Sequence, residues 1–149
     1  MIYNKVHTTR KTGNNVRYFV LSVLLAVLVL SCEKLDSASD DERDNLVGVW
    51  YCNETGTSGT SGSFNYQVTI AKSGSDTTKI LISNLNQLGS DVDVYAKLNG
   101  LSLSIPSQTA GGFQVYGSGT VSSNYKTINW TYTVNTGSEL EHWTAVYSK

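Results

Sequence analysis

From Leu46 to the end of the chain, apolar and polar residues alternate with a period of two, as they do in strands that bury one face. In Phe64–Ile70 the four apolar side chains fall on alternate positions, with Asn, Gln and Thr between them. Ile128–Val134 repeats the pattern with a Trp and a Tyr on its apolar face. The alternation predicts eight strands, at residues 47–52, 64–71, 79–84, 92–98, 101–105, 113–121, 127–134 and 143–148.

The links between these strands are short, and Asn99-Gly100 suits a two-residue hairpin. Short links favour an antiparallel meander, and an even number of strands lets the last strand pair with the first. The predicted fold class is therefore all-β, an eight-stranded antiparallel up-and-down barrel. A β-sandwich remains the alternative, because eight short strands fit it too.

The apolar face of the sheet is expected to point inward. A transmembrane barrel would turn that face outward, but its strands need about 9–11 residues, and most of those predicted here are shorter. Gly117 and Gly119 fall on the inward face of the sixth strand. A missing side chain at those positions permits close packing of the opposite wall, a bend, or a ligand.

The first 31 residues have the composition of a signal peptide. Four basic residues precede an apolar run of 13 residues, Tyr18–Leu30, which is short for a membrane span. The run ends in Val29-Leu30-Ser31-Cys32, which resembles the bacterial lipobox. That resemblance implies cleavage before Cys32 and acylation of Cys32 by palmitate-like chains, which would anchor the protein to a membrane. The alternative is a signal-anchor helix with an incidental cysteine.

Residues 32–45 are expected to be an acidic tether between the lipid and a barrel domain at residues 46–149. Glu33–Asp44 holds six acidic and two basic residues, without apolar periodicity. Cleavage would leave a net charge of −5, with no basic face for nucleic acid. Ser39–Glu42 resembles the acidic export signals of Bacteroidetes-type lipoproteins. The expected location is the outer membrane of the cell envelope, on the cell surface or facing the periplasm.

Two short triplets resemble the O-glycosylation signal of the same bacteria. They are Asp36-Ser37-Ala38 in the tether and Asp76-Thr77-Thr78 in the barrel. The resemblance implies possible glycan sites at Ser37 and Thr77.

Gly48-Val49-Trp50, at the head of the first strand, is similar to the G-x-W of lipocalins and related calycin barrels. In that family the Trp plugs the closed end, which implies the same role here for Gly48 and Trp50. Residues 46–149 as a whole resemble the small lipocalin-like lipoproteins of Bacteroidetes-type bacteria. The chain ends "TAVYSK", without an arginine placed to stack on the Trp.

The residues do not predict an enzyme. Once residues 1–31 are removed, His142 is the only histidine, and Glu139, Glu141 and His142 make a weak metal set on a loop that runs into a strand. There is no nucleophile elbow for a serine triad. Cys52, beside Trp50, is expected to be a buried small hydrophobe. No catalytic residue, metal or cofactor is predicted.

Two functions are left open by the sequence. The first is a monomeric, lipid-anchored binding module that takes a small apolar ligand in or at the mouth of the barrel, with Tyr66, Trp130, Tyr132 and Tyr147 as amphipathic walls. The second is a solid barrel that works as a surface module and contacts a protein or a glycan through its Ser/Thr-rich loops.

Overall fold

The computed structural model describes residues 41–58 and 62–149. Asp40–Lys149 form a compact unit of their own. The signal peptide, Cys32, Ser37 and most of the tether lie outside the described residues. A 3₁₀ turn, Glu42–Asn45, leads into eight strands, and a second 3₁₀ turn, Leu85–Gln87, follows the third strand. The strands are β1 (Gly48–Ser58), β2 (Ser63–Lys72), β3 (Lys79–Ser83), β4 (Asp93–Asn99), β5 (Ser102–Ala110), β6 (Phe113–Val121), β7 (Thr127–Asn135) and β8 (Leu140–Ser148).

The eight strands close into a barrel in up-and-down order. Each strand pairs antiparallel with the next, and β1 pairs with β8, with Cys52 opposite Tyr147 and Glu54 opposite Ala145. The predicted fold class is confirmed, and the sandwich alternative is wrong because closure leaves no second sheet. All eight pairings lie between residues 48 and 148, so a chain of residues 35–149 contains the whole barrel.

Three strands extend three or more residues beyond their predicted ends. β1 continues six residues past Cys52 because its polar second half pairs with β8. β5 passes through Pro106 to Ala110, and the proline falls where the register with β6 shifts between Ile105 and Gln108. A proline donates no ladder hydrogen bond, and a bulge is where a strand tolerates it. β8 begins at Leu140, so Glu141 and His142 lie in a strand and not in a loop.

The apolar face of the sheet points inward and forms the core. Its largest fully buried members are Trp50, Trp130, Tyr132 and Tyr147, which come from β1, β7 and β8. The two glycines of β6 lie against two of these aromatic residues across the strand pair. Gly119 pairs with Trp130, and Gly117 pairs with Tyr132. A β-carbon at Gly117 would collide with Tyr132, so these glycines serve close packing.

One end of the barrel is closed around Trp50. The side chain of Trp50 is fully buried, and its Nε1 donates to the carbonyl oxygen of Leu46 at 2.7 Å. Lys149 Nζ lies 4.5 Å from the centroid of the Trp50 ring and donates to the carbonyl oxygens of Asn45 and Val47. A lysine therefore supplies the stacked cation where the chain lacks an arginine. Partial burial lowers the pKa of Lys149.

Arg43 fastens the first 3₁₀ turn to the connection between β2 and β3. Its guanidinium makes two hydrogen bonds to the Asp41 carboxylate, at 2.8 and 2.7 Å, and these hold the pKa of Asp41 well below its usual range. Its Nη1 donates to the carbonyl oxygens of Ser73, Asp76 and Lys79. Arg43 is only 6% exposed, so residues 41–45 belong to the folded barrel, although the sequence places them in a solvated tether.

Replacing Gly119 by Ala is expected to destabilise the barrel by about 1–3 kcal/mol, because the core is overpacked by the added methyl. The new β-carbon would lie 2.6 Å from Cε3 of Trp130. Gly74→Ala is the matched control, since nothing lies within 4 Å of its β-carbon position. Urea unfolding of both variants measures the difference. Equal urea midpoints for the two variants would contradict the close contact between Trp130 and Gly119.

Candidate functional site

A carboxyl group lies inside the barrel, on the part of β1 that the sequence does not predict. The side chain of Glu54 is 0% exposed. Its Oε1 accepts a hydrogen bond from Tyr66 Oη at 2.9 Å, and its Oε2 accepts one from Asn86 Nδ2 at 3.2 Å. Within residues 41–58 and 62–149, no basic side chain forms an ion pair with it. The carboxyl is therefore buried with neutral partners alone.

Burial controls the protonation of this carboxyl. Removal from water raises the pKa of Glu54 to about 7, and the hydrogen bonds from Tyr66 and Asn86 offset only part of that rise. Burial likewise raises the pKa of the Cys52 thiol, to about 12, and the pKa of the Tyr66 phenol. Below pH 7 the side chains of Glu54, Cys52 and Tyr66 are thus mainly uncharged, and the Cys52 thiol is not a nucleophile.

The four aromatic residues predicted to line a ligand site all belong to the barrel interior. Trp130, Tyr132 and Tyr147 are at most 2% exposed, and Tyr66 is partly buried against the core. The rings of Trp130 and Tyr147 are tilted, with centroids 5.9 Å apart. Tyr132 Oη accepts a hydrogen bond from Asn86 Nδ2 at 3.5 Å. The interior polar cluster, as we name it, consists of Glu54, Tyr66, Asn86 and Tyr132.

Two polar atoms in the same interior have no hydrogen-bond partner among the described residues. They are Nε1 of Trp130 and Oη of Tyr147, and both are buried. Most buried polar atoms in proteins are paired, and an unpaired one costs about 1–3 kcal/mol. Burial raises the pKa of Tyr147 far above its usual range, so its hydroxyl keeps its proton. The two atoms, which we call the unpartnered pair, are two buried hydrogen-bond donors that no described side chain or backbone group accepts from.

The end of the barrel opposite Trp50 is covered by the connection between β3 and β4, residues 84–92, which we call the lid. Leu85 of the lid is fully buried in the core. Leu88 and Val92 pack against the core and lie near Gly111, in the turn between β5 and β6. The backbone is left-handed at Asn84 and at the adjacent residues 86 and 87, which is uncommon outside glycine. The lid is thus a segment with strained backbone that contributes Asn86 to the interior polar cluster.

Two residues of this site are missing from the sequence prediction. Glu54 continues the inward alternation of Trp50 and Cys52, so a longer first strand would have placed it inside. Asn86 gives no such signal, because its position depends on the left-handed turn of the lid.

The other candidates from the sequence lie apart from the interior. His142 is exposed, and its Nδ1 lies 3.0 Å from Thr133 Oγ1. Glu141 accepts a hydrogen bond from Trp143 Nε1. In the described part of the chain no three His, Cys, Asp or Glu side chains come together as a metal site. Thr77 is exposed in the connection between β2 and β3, and Gly48 begins β1 with a φ of 124°.

The outer face of the barrel carries apolar side chains on β1 and β8. Val49 is 52% exposed, Tyr51 is 63% exposed, and Val146 is 44% exposed. An open groove of about 390 Å³ on this face is lined by Tyr51, Cys52, Asn53, Asn65, Tyr66, Gln67 and Ser148.

No protein-family model matches the chain, and no curated protein matches its sequence. Among the described residues, no helix is both long enough and apolar enough to cross a membrane.

Stability is expected to depend on pH through Glu54. Its pKa is higher in the folded chain than the usual 4.5, so the native state binds more protons than the unfolded state between pH 4.5 and 7. The free energy of unfolding should therefore fall as pH rises through that window, by up to about 3 kcal/mol, and level off above pH 7. Urea unfolding at pH 5 and pH 8 measures the fall.

Glu54→Gln keeps the shape of the side chain and removes the titration, so its pH 5 to pH 8 difference should be much smaller. Asp41 and Asp76 do not interfere, because their pKa values are lowered and their stabilisation is lost only below pH 4. The same fall in both proteins would contradict the assignment to Glu54.

Proposed function

We propose that the chain is a non-catalytic lipoprotein of the bacterial cell envelope whose barrel binds a small, largely apolar molecule. The observation that carries the binding proposal is the unpartnered pair, which faces the same aromatic interior as the buried Glu54 carboxyl. Pockets for small molecules are mostly apolar with a few convergent polar groups. Strong pKa perturbation in such a place supports a functional site.

A solid core gives no reason for these groups. A buried carboxyl without a basic partner costs stability, and an apolar residue of similar size would usually serve packing better. The indole N–H of Trp130 and the hydroxyl of Tyr147 add a further cost, since neither is paired. A bound molecule that accepts hydrogen bonds from this pair would offset that cost. Ordered water is the simplest such molecule, and a ligand with an oxygen atom is the one we propose.

The proposed location rests on the sequence. The lipobox resemblance at Cys32 and the acidic residues 33–44 support a lipid anchor with a short tether, in the outer membrane and on either of its faces. The family resemblance of Gly48 and Trp50 supports a lipocalin-like module, and we propose that it acts as a monomer. Acylation of Cys32 supplies the membrane contact, so the barrel itself remains free to bind its ligand.

Native mass spectrometry of residues 35–149, purified gently from a Gram-negative periplasm, tests the binding proposal. We expect a discrete adduct that is lost on solvent extraction. Tyr147→Phe removes one donor of the unpartnered pair, so it should reduce the adduct. In the extracted protein the same change should be neutral or stabilising by about 1 kcal/mol, because an unpaired hydroxyl is removed.

Tyr116→Phe is the matched control, since Tyr116 lies on the outer face and is 37% exposed. An adduct that is equally abundant in wild type and both variants would not be bound through Tyr147. A bare polypeptide mass in every preparation would contradict ligand binding.

The bare mass would favour the second candidate, a solid barrel that contacts a protein or a glycan. The exposed side chains of Val49, Tyr51 and Val146 favour that candidate, because they form an apolar patch on the outer face. Cross-linking on intact cells, with Tyr51→Ser as the variant, would then find the partner.

Replacing Cys32 by Ser tests the anchor. The variant should stay uncleaved or appear in the soluble envelope fraction, because serine has no thiol to acylate. Cys52→Ser is the control for loss of a thiol, since Cys52 is buried in the barrel. Fractionation and radiolabelled palmitate incorporation measure both variants. Label in the Cys32→Ser protein would contradict the proposed anchor.

A further inference from the structure

Asn86 projects its side-chain amide from the lid into the barrel. Its Nδ2 donates to two acceptors, Glu54 Oε2 at 3.2 Å and Tyr132 Oη at 3.5 Å. The first distance is at the upper limit of the usual range of about 2.7–3.2 Å for N–H···O hydrogen bonds and the second exceeds it, so both bonds are long and the bond to Tyr132 is weak. The side-chain amide of Asn86 thus occupies the acceptor atoms of Glu54 and Tyr132 through long hydrogen bonds.

The rest of the lid is held separately from this contact. Asn84 Nδ2 donates to the carbonyl oxygen of Gln67 at 2.9 Å, and its Oδ1 accepts from the Gly89 amide. Leu85 supplies the apolar contact with the core. Residues 86 and 87 both have left-handed backbone, and the side chain of Gln87 is exposed. Asn86 can therefore leave its acceptors while the base of the lid at Asn84 stays attached.

We propose that the lid is the entrance to the barrel and that the ligand carries an N–H or O–H donor which replaces the Asn86 amide on Glu54 and Tyr132. This inference rests on the proposed function and adds the ligand's chemistry to it. An amine, an amide or an alcohol has the required donor. A carboxylate does not, and above pH 7 it would place a second negative acceptor against Glu54.

The groups that face the Glu54 carboxyl agree with this assignment. Tyr66 donates a hydrogen bond to it from β2, and Asn86 donates one from the lid. The neighbouring side chains of Cys52 and Tyr147 carry no positive charge. Within the described residues no lysine or arginine pairs with Glu54. The interior next to the lid therefore offers hydrogen-bond acceptors at Glu54 and Tyr132, while the unpartnered pair offers hydrogen-bond donors. An alcohol or an amide on an apolar body satisfies both sides, because its oxygen also accepts, whereas an amine satisfies the acceptor side alone.

Two glycine variants of the lid separate the contact of the Asn86 side chain with Glu54 and Tyr132, which we call the latch, from the conformation of the backbone. Asn86→Gly and Gln87→Gly each place glycine at a left-handed position, with φ of 51° and 56°, so both relieve backbone strain. Only the first removes the contact with Glu54 and Tyr132. Amide hydrogen exchange of Leu88 and Gly89, whose N–H groups bond within the lid, should be about tenfold faster in Asn86→Gly than in Gln87→Gly. Equal exchange in the two variants would overturn the latch.

Four probes of one chain length test the head group at pH 8 on residues 35–149. They are hexylamine, hexanamide, 1-hexanol and hexanoate, followed by NMR shifts of the Trp130 indole N–H. At least one donor probe should bind, and should bind about threefold to tenfold tighter to Asn86→Gly than to Gln87→Gly, because the latch no longer competes. Hexanoate should bind neither variant. Hexanoate binding as tight as that of the donor probes, or no donor binding at all, would overturn the inference.

The Glu54→Gln variant shows whether the donor group of the ligand is cationic or neutral. A preference for hexylamine that disappears in this variant identifies a cationic head. Binding of hexanamide or hexanol that survives identifies a neutral one, and both results support the inference. If the probes fail while native mass spectrometry still shows an adduct, the inference is wrong and the proposed function stands.

Discussion

The central constraint is the burial of the Glu54 carboxyl inside a barrel that closes on itself. Because β1 pairs with both β2 and β8, an inward side chain in the middle of β1 cannot turn to solvent. The carboxyl therefore keeps its proton up to about pH 7 and depends on Tyr66 and Asn86 for hydrogen bonds. A core built for stability alone would replace it with an apolar residue. Its presence is what supports the proposal of a ligand-binding barrel over that of a solid one.

The two ends of the barrel are sealed in different ways. At the Trp50 end the seal is a buried aromatic ring, a lysine over its face, and a guanidinium that binds three backbone carbonyls. At the lid end the contact with the interior is a pair of long hydrogen bonds from Asn86. The Trp50 end is thus closed by buried contacts and the lid end by long polar contacts, which supports the proposal that the lid is the entrance. This asymmetry links the packing of the fold to the proposed binding.

The sequence predicts the barrel because inward and outward residues alternate, and that pattern depends on local pleating alone. It also predicts the aromatic walls, since Trp130, Tyr132 and Tyr147 follow the same alternation. It does not predict Glu54, because an acidic residue ends an apolar pattern although pairing with β8 extends the strand. Asn86 and Lys149 reach their sites through a left-handed turn and through ring closure, and neither leaves a local pattern.

A high-resolution crystal structure of the barrel, purified from the envelope without solvent extraction, tests the central claim most directly. The density to inspect lies between Trp130 Nε1, Tyr147 Oη and the Glu54 carboxyl. We expect continuous density for an organic molecule that contacts the unpartnered pair. A single ordered water in that place, or a dry interior in which the two atoms stay unpaired, would contradict it.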